Sequence, residues 1–206
     1  MVFIKNIDVF GLVQGLNLPP INSTFHWCRS TLTYILNKET YKKLNTKYKD
    51  ITNQHRRKRK YKVVEQQYYI APDGERYYID GRNVKIKANE KEREVAKLMG
   101  EIYGGQVRHI PVVLNPAGIK TPDYIINGRK FDLKEIYGNN QNTLFNALAG
   151  KKEQANNFVF DVSETKLETI EVMEQIQRIY ASKHRSWVDE IVVIKDNEVV
   201  KIFKRQ

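Results

Sequence analysis

The tightest constraint on how this chain can fold lies in Thr121-Pro122-Asp123-Tyr124-Ile125-Ile126-Asn127-Gly128-Arg129-Lys130-Phe131-Asp132-Leu133-Lys134. An Asn-Gly pair between two alternating runs signals a two-residue hairpin loop, because both central positions of such a turn need positive φ. Counting outward from Asn127-Gly128 pairs 126 with 129, 125 with 130, 124 with 131 and 123 with 132. Side chains alternate along a strand, so Tyr124, Ile126, Phe131 and Leu133 share one apolar face, and Asp123, Asp132 and Lys134 share the other.

Two aspartates opposed across a ladder repel each other and want a cation between them. Mg²⁺, or Mn²⁺ in its place, suits such a site, since it takes one or two carboxylates and fills its shell with waters and phosphate oxygens. An ion held there stabilises charge on a phosphoryl group and acidifies a bound water, and a neighbouring lysine orients or deprotonates that water. Asp123, Asp132 and Lys134 are therefore the first candidates for catalysis. Pro72-Asp73 also spells Pro-Asp, but it sits in a turn with no Asp-x-Lys on a returning strand.

The surrounding pattern predicts a helix from an Asn89 N-cap to Gly104-Gly105, a strand over 107–114, the hairpin strands 123–127 and 130–136, and a helix over 142–156 with a weak point at Gly150. A buried strand over 158–162, a long helix over 164–184 and a closing hairpin, 190–194 with 198–203, follow. Strands alternating with helices imply an α/β sheet covered by helices. Upstream, tyrosine-rich runs over 66–70 and 76–80 flank Asp73-Gly74 and read as a connector hairpin.

At 206 residues the chain has room for one domain and an appendage. The division expected is an irregular appendage and basic linker over 1–62, a connector over 63–88 and the main domain over 89–206. Eleven Lys and Arg against Glu39 and Asp50 in residues 38–62 concentrate about +9 of the net +11, which points to a polyanionic partner. Arg56, Arg57, Lys58, Arg59 and Lys60 are candidate nucleic-acid contacts through phosphate. The longest apolar runs fall far short of the ~20 residues of a membrane span, so no membrane partner is expected. The single cysteine, Cys28, rules out an internal disulfide. His109 and His184 have no partner at ligand spacing and read as structural or surface residues.

Pro122-Asp123 followed by Asp132-Leu133-Lys134 resembles the PD-(D/E)xK nuclease motif. Glu92-Arg93-Glu94-Val95-Ala96, Gly104-Gly105, Lys120-Thr121-Pro122-Asp123, Phe131-Asp132-Leu133-Lys134 and Lys151-Lys152-Glu153-Gln154-Ala155 together resemble the tRNase-type toxin domains of contact-dependent growth inhibition effectors, over about residues 85–204. The resemblance implies an α/β fold with a PD-(D/E)xK-like mixed sheet, an αβββαβ core, flanking helices and a C-terminal hairpin. It further implies a metal-dependent endonuclease acting on tRNA in preference to DNA, with an immunity protein as partner. Asp123 and Asp132 would be metal ligands and Lys134 the motif lysine. A helix glutamate would complete the set; Glu92 and Glu94 both border the apolar stripe, with Glu94 placed among the ligands. Lys151, Lys152 and Gln154 would reach the substrate phosphate.

Pro19-Pro20 and Phe25-His26-Trp27-Cys28-Arg29-Ser30-Thr31 resemble the tail of phage minor head proteins. That resemblance implies phage capsid or portal partners, and a place in the bacterial cytoplasm or a phage virion. It also opens a different reading, a non-catalytic virion structural or nucleic-acid-binding protein on a nuclease-like fold. His26 and Cys28 lack two further zinc ligands nearby and read as structural.

Overall fold

The computed structural model describes residues 48–56, 58, 60–80, 82–86 and 88–206, together with the backbone of two short paired strands, β1 (Val2–Lys5) and β2 (Thr33–Leu36). The segments that carry the phage-like resemblance, Pro19-Pro20 and Phe25 to Thr31, lie outside the described residues, as do Arg57 and Arg59.

An eight-stranded mixed sheet organises the chain. Its strands are β3 (Tyr48–Asp50), β4 (Tyr61–Glu65), β8 (Gly105–His109), β10 (Tyr124–Ile126), β11 (Arg129–Glu135), β12 (Asn157–Asp161), β13 (Glu190–Lys195) and β14 (Glu198–Arg205), ordered β3-β14-β13-β12-β11-β10-β8-β4. Strands β11, β12 and β13 run parallel, as do β4 and β8, and the remaining pairs are antiparallel. Outside this sheet, β5 (Tyr68–Ile70) pairs with β6 (Arg76–Tyr78), and β7 (Val84–Lys85) with β9 (Val112–Val113).

Helices cover both faces. Helix α2 (Glu90–Tyr103) follows the four-residue α1 (Thr52–His55) in sequence and buries Val95, Ala96, Met99 and Ile102 against Tyr124, Ile126, Phe131, Val159 and Val192. On the other face α3 (Thr143–Ala147) and α4 (Thr169–Ala181) pack Leu144, Val172, Ile176 and Ile179 on Phe158, Phe160, Ile191 and Val193. A small third cluster joins Tyr69, Ala71, Val84, Ile110 and Val113. Among the described residues, no helix is long and apolar enough to cross a membrane.

The central hairpin has the expected register, Tyr124 opposite Phe131, Ile125 opposite Lys130 and Ile126 opposite Arg129. Asn127 and Gly128 both adopt positive φ, 47° and 78°. The closing hairpin turns in the same way at Asp196 and Asn197, with φ of 51° and 61°. Asn89 caps α2 as predicted, its side chain accepting from the Glu92 N–H.

Four expectations need correction. The strand over 107–114 breaks into β8 and β9, because Pro111 between them has no N–H for a ladder. The helix over 142–156 is only α3; Gly150 at φ 69° ends any continuation, and residues 151–155 form a turn. The helix over 164–184 begins at Thr169, behind a capping box of Glu168 and Glu171, and stops at Ala181. The fourth is the division at residue 62, which does not separate an appendage from the domain. β3 and β4 are the two edge strands of the main sheet. Tyr48 stacks on Tyr180 and meets Phe203 edge-on, with ring centroids 5.3 and 5.1 Å apart, and Ile51 is buried against the α2 side. A lysine-rich segment suits such a position, because edge strands tolerate charge facing water.

Candidate active site

The hairpin places Asp123 at the entry to β10 and Asp132 inside β11. Asp123 Oδ2 accepts from the Leu133 N–H at 2.6 Å, which ties the two strands together beyond the last paired residues. Asp132 is fully buried. Its Oδ1 accepts from the Gln154 side-chain amide, and its Oδ2 forms an ion pair with Lys134 Nζ. That second oxygen has no hydrogen-bond partner of good geometry, so it is held by charge alone. Lys134 Nζ donates to its neighbour's carbonyl, Leu133 O, at 3.1 Å. The turn after α3 brings in Lys151, whose Nζ donates to Gln154 Oε1 at 3.0 Å.

Asp123, Asp132, Lys134, Lys151 and Gln154 thus form one cluster on one sheet face, and its electrostatics follow from crowding. Burial, reinforced by the Asp132 charge, pushes the Asp123 carboxyl up to about 7, against the pull of the Leu133 N–H and Lys134. The Lys151 ammonium is pulled below its ordinary value by burial and then by the Lys134 charge, with the two aspartates opposing.

Glu92 stands at the margin of this cluster. Its Oε2 accepts from the Asn89 N–H at 3.0 Å, and Asn89 Oδ1 from the Glu92 N–H at 2.7 Å, so the carboxylate closes a capping box. Burial raises the Glu92 carboxyl, with the Asn89 N–H opposing and the Glu135 charge adding to the rise. Its own charge contributes to the rise at Asp123. The Tyr124 hydroxyl donates to Glu92 O at 2.9 Å and fixes the start of α2 over the hairpin.

Glu94 is different. It is exposed, and its charge acts on Lys91, which pairs with the buried Asp161. Two residues along a helix turn the side chain by about 200°, and the turn carries Glu94 away from the acids. Among the described residues no group of three His, Cys, Asp or Glu side chains is placed to hold a metal ion. The set of Asp123, Asp132 and Glu94 is therefore not assembled. What the structure offers instead is a two-carboxylate site. The orphaned Asp132 Oδ2 and the carbonyl Leu133 O both meet Lys134 Nζ, and Asp123 is held beside them by the Leu133 N–H. Hard oxygen donors of this kind fit Mg²⁺ or Mn²⁺.

The remaining candidates are scattered. Lys152 is exposed. Arg56, Lys58 and Lys60 are exposed; Arg56 follows α1, and Lys60, at the start of β4, accepts through its carbonyl from the Gly105 N–H at 2.8 Å. His109 is buried against the Tyr124 ring, 5.3 Å between centroids, and His184 is exposed.

Two supporting residues were not among the candidates. Gln175, buried in α4, accepts from the Leu144 N–H and donates to Asn140 O, both at 2.9 Å, and so anchors the loop leading to Lys151 and Gln154. Its signal is a polar residue in an apolar helix stripe, between Val172 and Ile176. Lys120 donates to Gly150 O at 3.2 Å and pairs with Glu153 at 3.1 Å, joining the loop before Asp123 to the turn that supplies Gln154.

Residues 120–199 match the family described as the contact-dependent growth inhibition CdiA C-terminal domain. The matched stretch includes Asp123, Asp132, Lys134, Lys151 and Gln154, and begins after Glu92 and Glu94. A solved CdiA-CT/CdiI toxin and immunity complex from Burkholderia pseudomallei is similar at 22% identity, over 69% of this chain and 99% of that chain, with a TM-score of 0.44. That likeness is too loose to support a shared activity. No curated protein matches the chain.

Proposed function

We propose that this chain is a metal-dependent nuclease that hydrolyses phosphodiester bonds, a toxin-like endonuclease whose substrate is tRNA. The observation that carries this reading is the buried Asp132, with Asp123 held beside it by the Leu133 N–H and with Lys134 and Gln154 on its carboxylate. The family match over residues 120–199 supports the toxin class.

In this reading Asp123 and Asp132 hold the metal, and Mg²⁺ or Mn²⁺ supplies a Lewis acid toward phosphoryl oxygens together with an acidified water. Gln154 fixes Asp132 through Oδ1, so that Oδ2, now paired with Lys134, is the oxygen that would hold the metal. Lys134, its side chain 18% exposed, stands where it can orient a water or hold a proton beside that oxygen. Lys151 adds positive charge toward a phosphate. Glu92 shapes the field at Asp123 while its carboxylate serves the helix cap. Such an activity endangers its host, so an immunity protein covering the acid-bearing face is the partner this reading requires.

A specific observation favours the non-catalytic alternative, a virion structural or nucleic-acid-binding protein: both Asp132 oxygens already meet protein groups. Incubating the full chain with Mg²⁺ or Mn²⁺ and separate samples of tRNA, single-stranded RNA, and duplex and single-stranded DNA decides between them. Metal-dependent cleavage lost on Asp132→Ala supports the nuclease, and intact nucleic acid in every sample supports the alternative.

A further inference from the structure

Three cations outside the acid cluster share its sheet face. Lys130 lies two residues before Asp132 on β11 and so points the same way. Lys130 is paired with Ile125, Ile125 with Arg108, and the strand of Arg108 with β4, where Lys62 is opposite Gln106. Partners in register share a face, which puts Lys62, Arg108, Lys130, Asp132 and Lys134 on one side of the sheet. Strand spacing of about 4.8 Å sets Arg108 roughly 10 Å from Lys130, with Lys62 one strand further on. Lys62 and Arg108 are exposed and Lys130 is half-buried. Among the described residues none of the three forms an ion pair with a carboxylate. The helices of this face, α3 and α4, pack over β12 and β13, and the small cluster around Tyr69 and Ile110 packs on Ile125 between Lys130 and Arg108.

The opposite face has another character. There α2 covers β8 and β10 and carries Glu90, Glu92, Glu94 and Glu101 among its basic residues. Uncompensated positive charge lies on the face of the catalytic acids on both sides of the covered Ile125, Lys130 beside the acids and Arg108 and Lys62 toward the edge where Lys58 and Lys60 lie beside Gly104 and Gly105.

We infer that Lys62, Arg108 and Lys130 form a phosphate track that holds the backbone of the substrate strand and leads it from the basic edge to Asp132. The inference rests on the nuclease reading and assigns the substrate contacts of that site. The chemistry recognised is the phosphodiester backbone, which tRNA and DNA share.

The test is binding, independent of turnover. Every chain is full-length and carries Asp132→Asn, so that bound strands stay uncut. One variant adds Lys62→Gln, Arg108→Gln and Lys130→Gln. A control adds Lys97→Gln, Lys166→Gln and Lys195→Gln, removing the same charge from exposed positions elsewhere. Circular dichroism melts confirm that each is folded. Fluorescence anisotropy with labelled tRNA and with a labelled DNA duplex then gives the salt dependence of affinity. Each lost phosphate contact lowers the log–log slope by about 0.7–0.9, so between about 50 and 200 mM salt the parent should lose roughly 20–40-fold more affinity than the track variant. The control should keep the parent's slope. A reduced slope for either probe supports the track, and the probe affected names the nucleic acid. Equal slopes for parent and track variant, equal reductions in track and control variants, or no binding by the parent overturn it. If the track variant loses slope while the chain without Asp132→Asn cuts nothing, the nuclease reading fails and the three cations are a nucleic-acid-binding face without a reacting centre.

Discussion

Asp123→Asn should stabilise the metal-free protein at neutral and alkaline pH. Asparagine keeps an oxygen for the Leu133 N–H and removes the charge that faces Asp132. Burial first, and then the Asp132 charge, push the folded carboxyl from an ordinary 3.8 up to about 7, and each tenfold change in proton affinity is ~1.4 kcal/mol. The ceiling is therefore about 4 kcal/mol. Solvent reaches the half-buried residue and screens the pair, which reduces the expected gain to about 1–2 kcal/mol. The sign follows from linkage: a folded value above the unfolded one contributes stability below the unfolded value, and that contribution is lost as pH rises through the folded value. In EDTA, wild type and Asp123→Asn should melt together near pH 4, diverge as the pH rises, and differ by a plateau of roughly 2–8 °C above about pH 7, at 2–4 °C per kcal/mol. Differential scanning calorimetry from pH 4 to 8.5 measures this gap. Parallel curves across the whole range would refute the raised Asp123 carboxyl. Mg²⁺ at pH 8 should raise the wild-type melting temperature and leave Asp123→Asn nearly unmoved.

Glu94→Ala should keep wild-type cleavage and stability within about 0.5 kcal/mol, whereas Glu92→Ala should lower the melting temperature by opening the capping box and Glu92→Gln should not; a cleavage assay and melts of the three chains check this. Gln175→Leu, which strands the Leu144 N–H and Asn140 O, should cost about 1–3 kcal/mol in urea unfolding and slow cleavage through the loop that carries Lys151. A chain beginning at Gln66 lacks β3 and β4 and bares the edges of β14 and β8, so it should fail to melt cooperatively; a wild-type transition in calorimetry would contradict the eight-stranded sheet.

The hairpin was legible because its information is local. Asn127-Gly128 sets the turn and the period of two sets the faces, so the juxtaposition of Asp123, Asp132 and Lys134 could be counted off the chain. The α2 cap was equally local, with Asn89 and Glu92 three residues apart. What escaped is non-local. Nothing in residues 48–65 announces two edge strands, since their pairing depends on β14 and β8, 151 and 45 residues away by the Ile51–Ile202 and Lys60–Gly105 bonds. The helix over 142–156 failed because Gly150 and the bond from Lys120 to its carbonyl favour a turn over a further helical turn. The same turn gives Gln154 a role that spacing did not reveal. It was expected to touch substrate, and it holds Asp132.

The central claim is that Asp132 sits at the reacting centre of a metal-dependent nuclease. The most direct measurement is the rate of tRNA cleavage by the full chain in Mg²⁺, in Mg²⁺ with excess EDTA, and after Asp132→Ala, each on protein shown to be folded by circular dichroism. The account predicts cleavage in the first case and none in the other two. Cleavage by folded Asp132→Ala at the wild-type rate would contradict it.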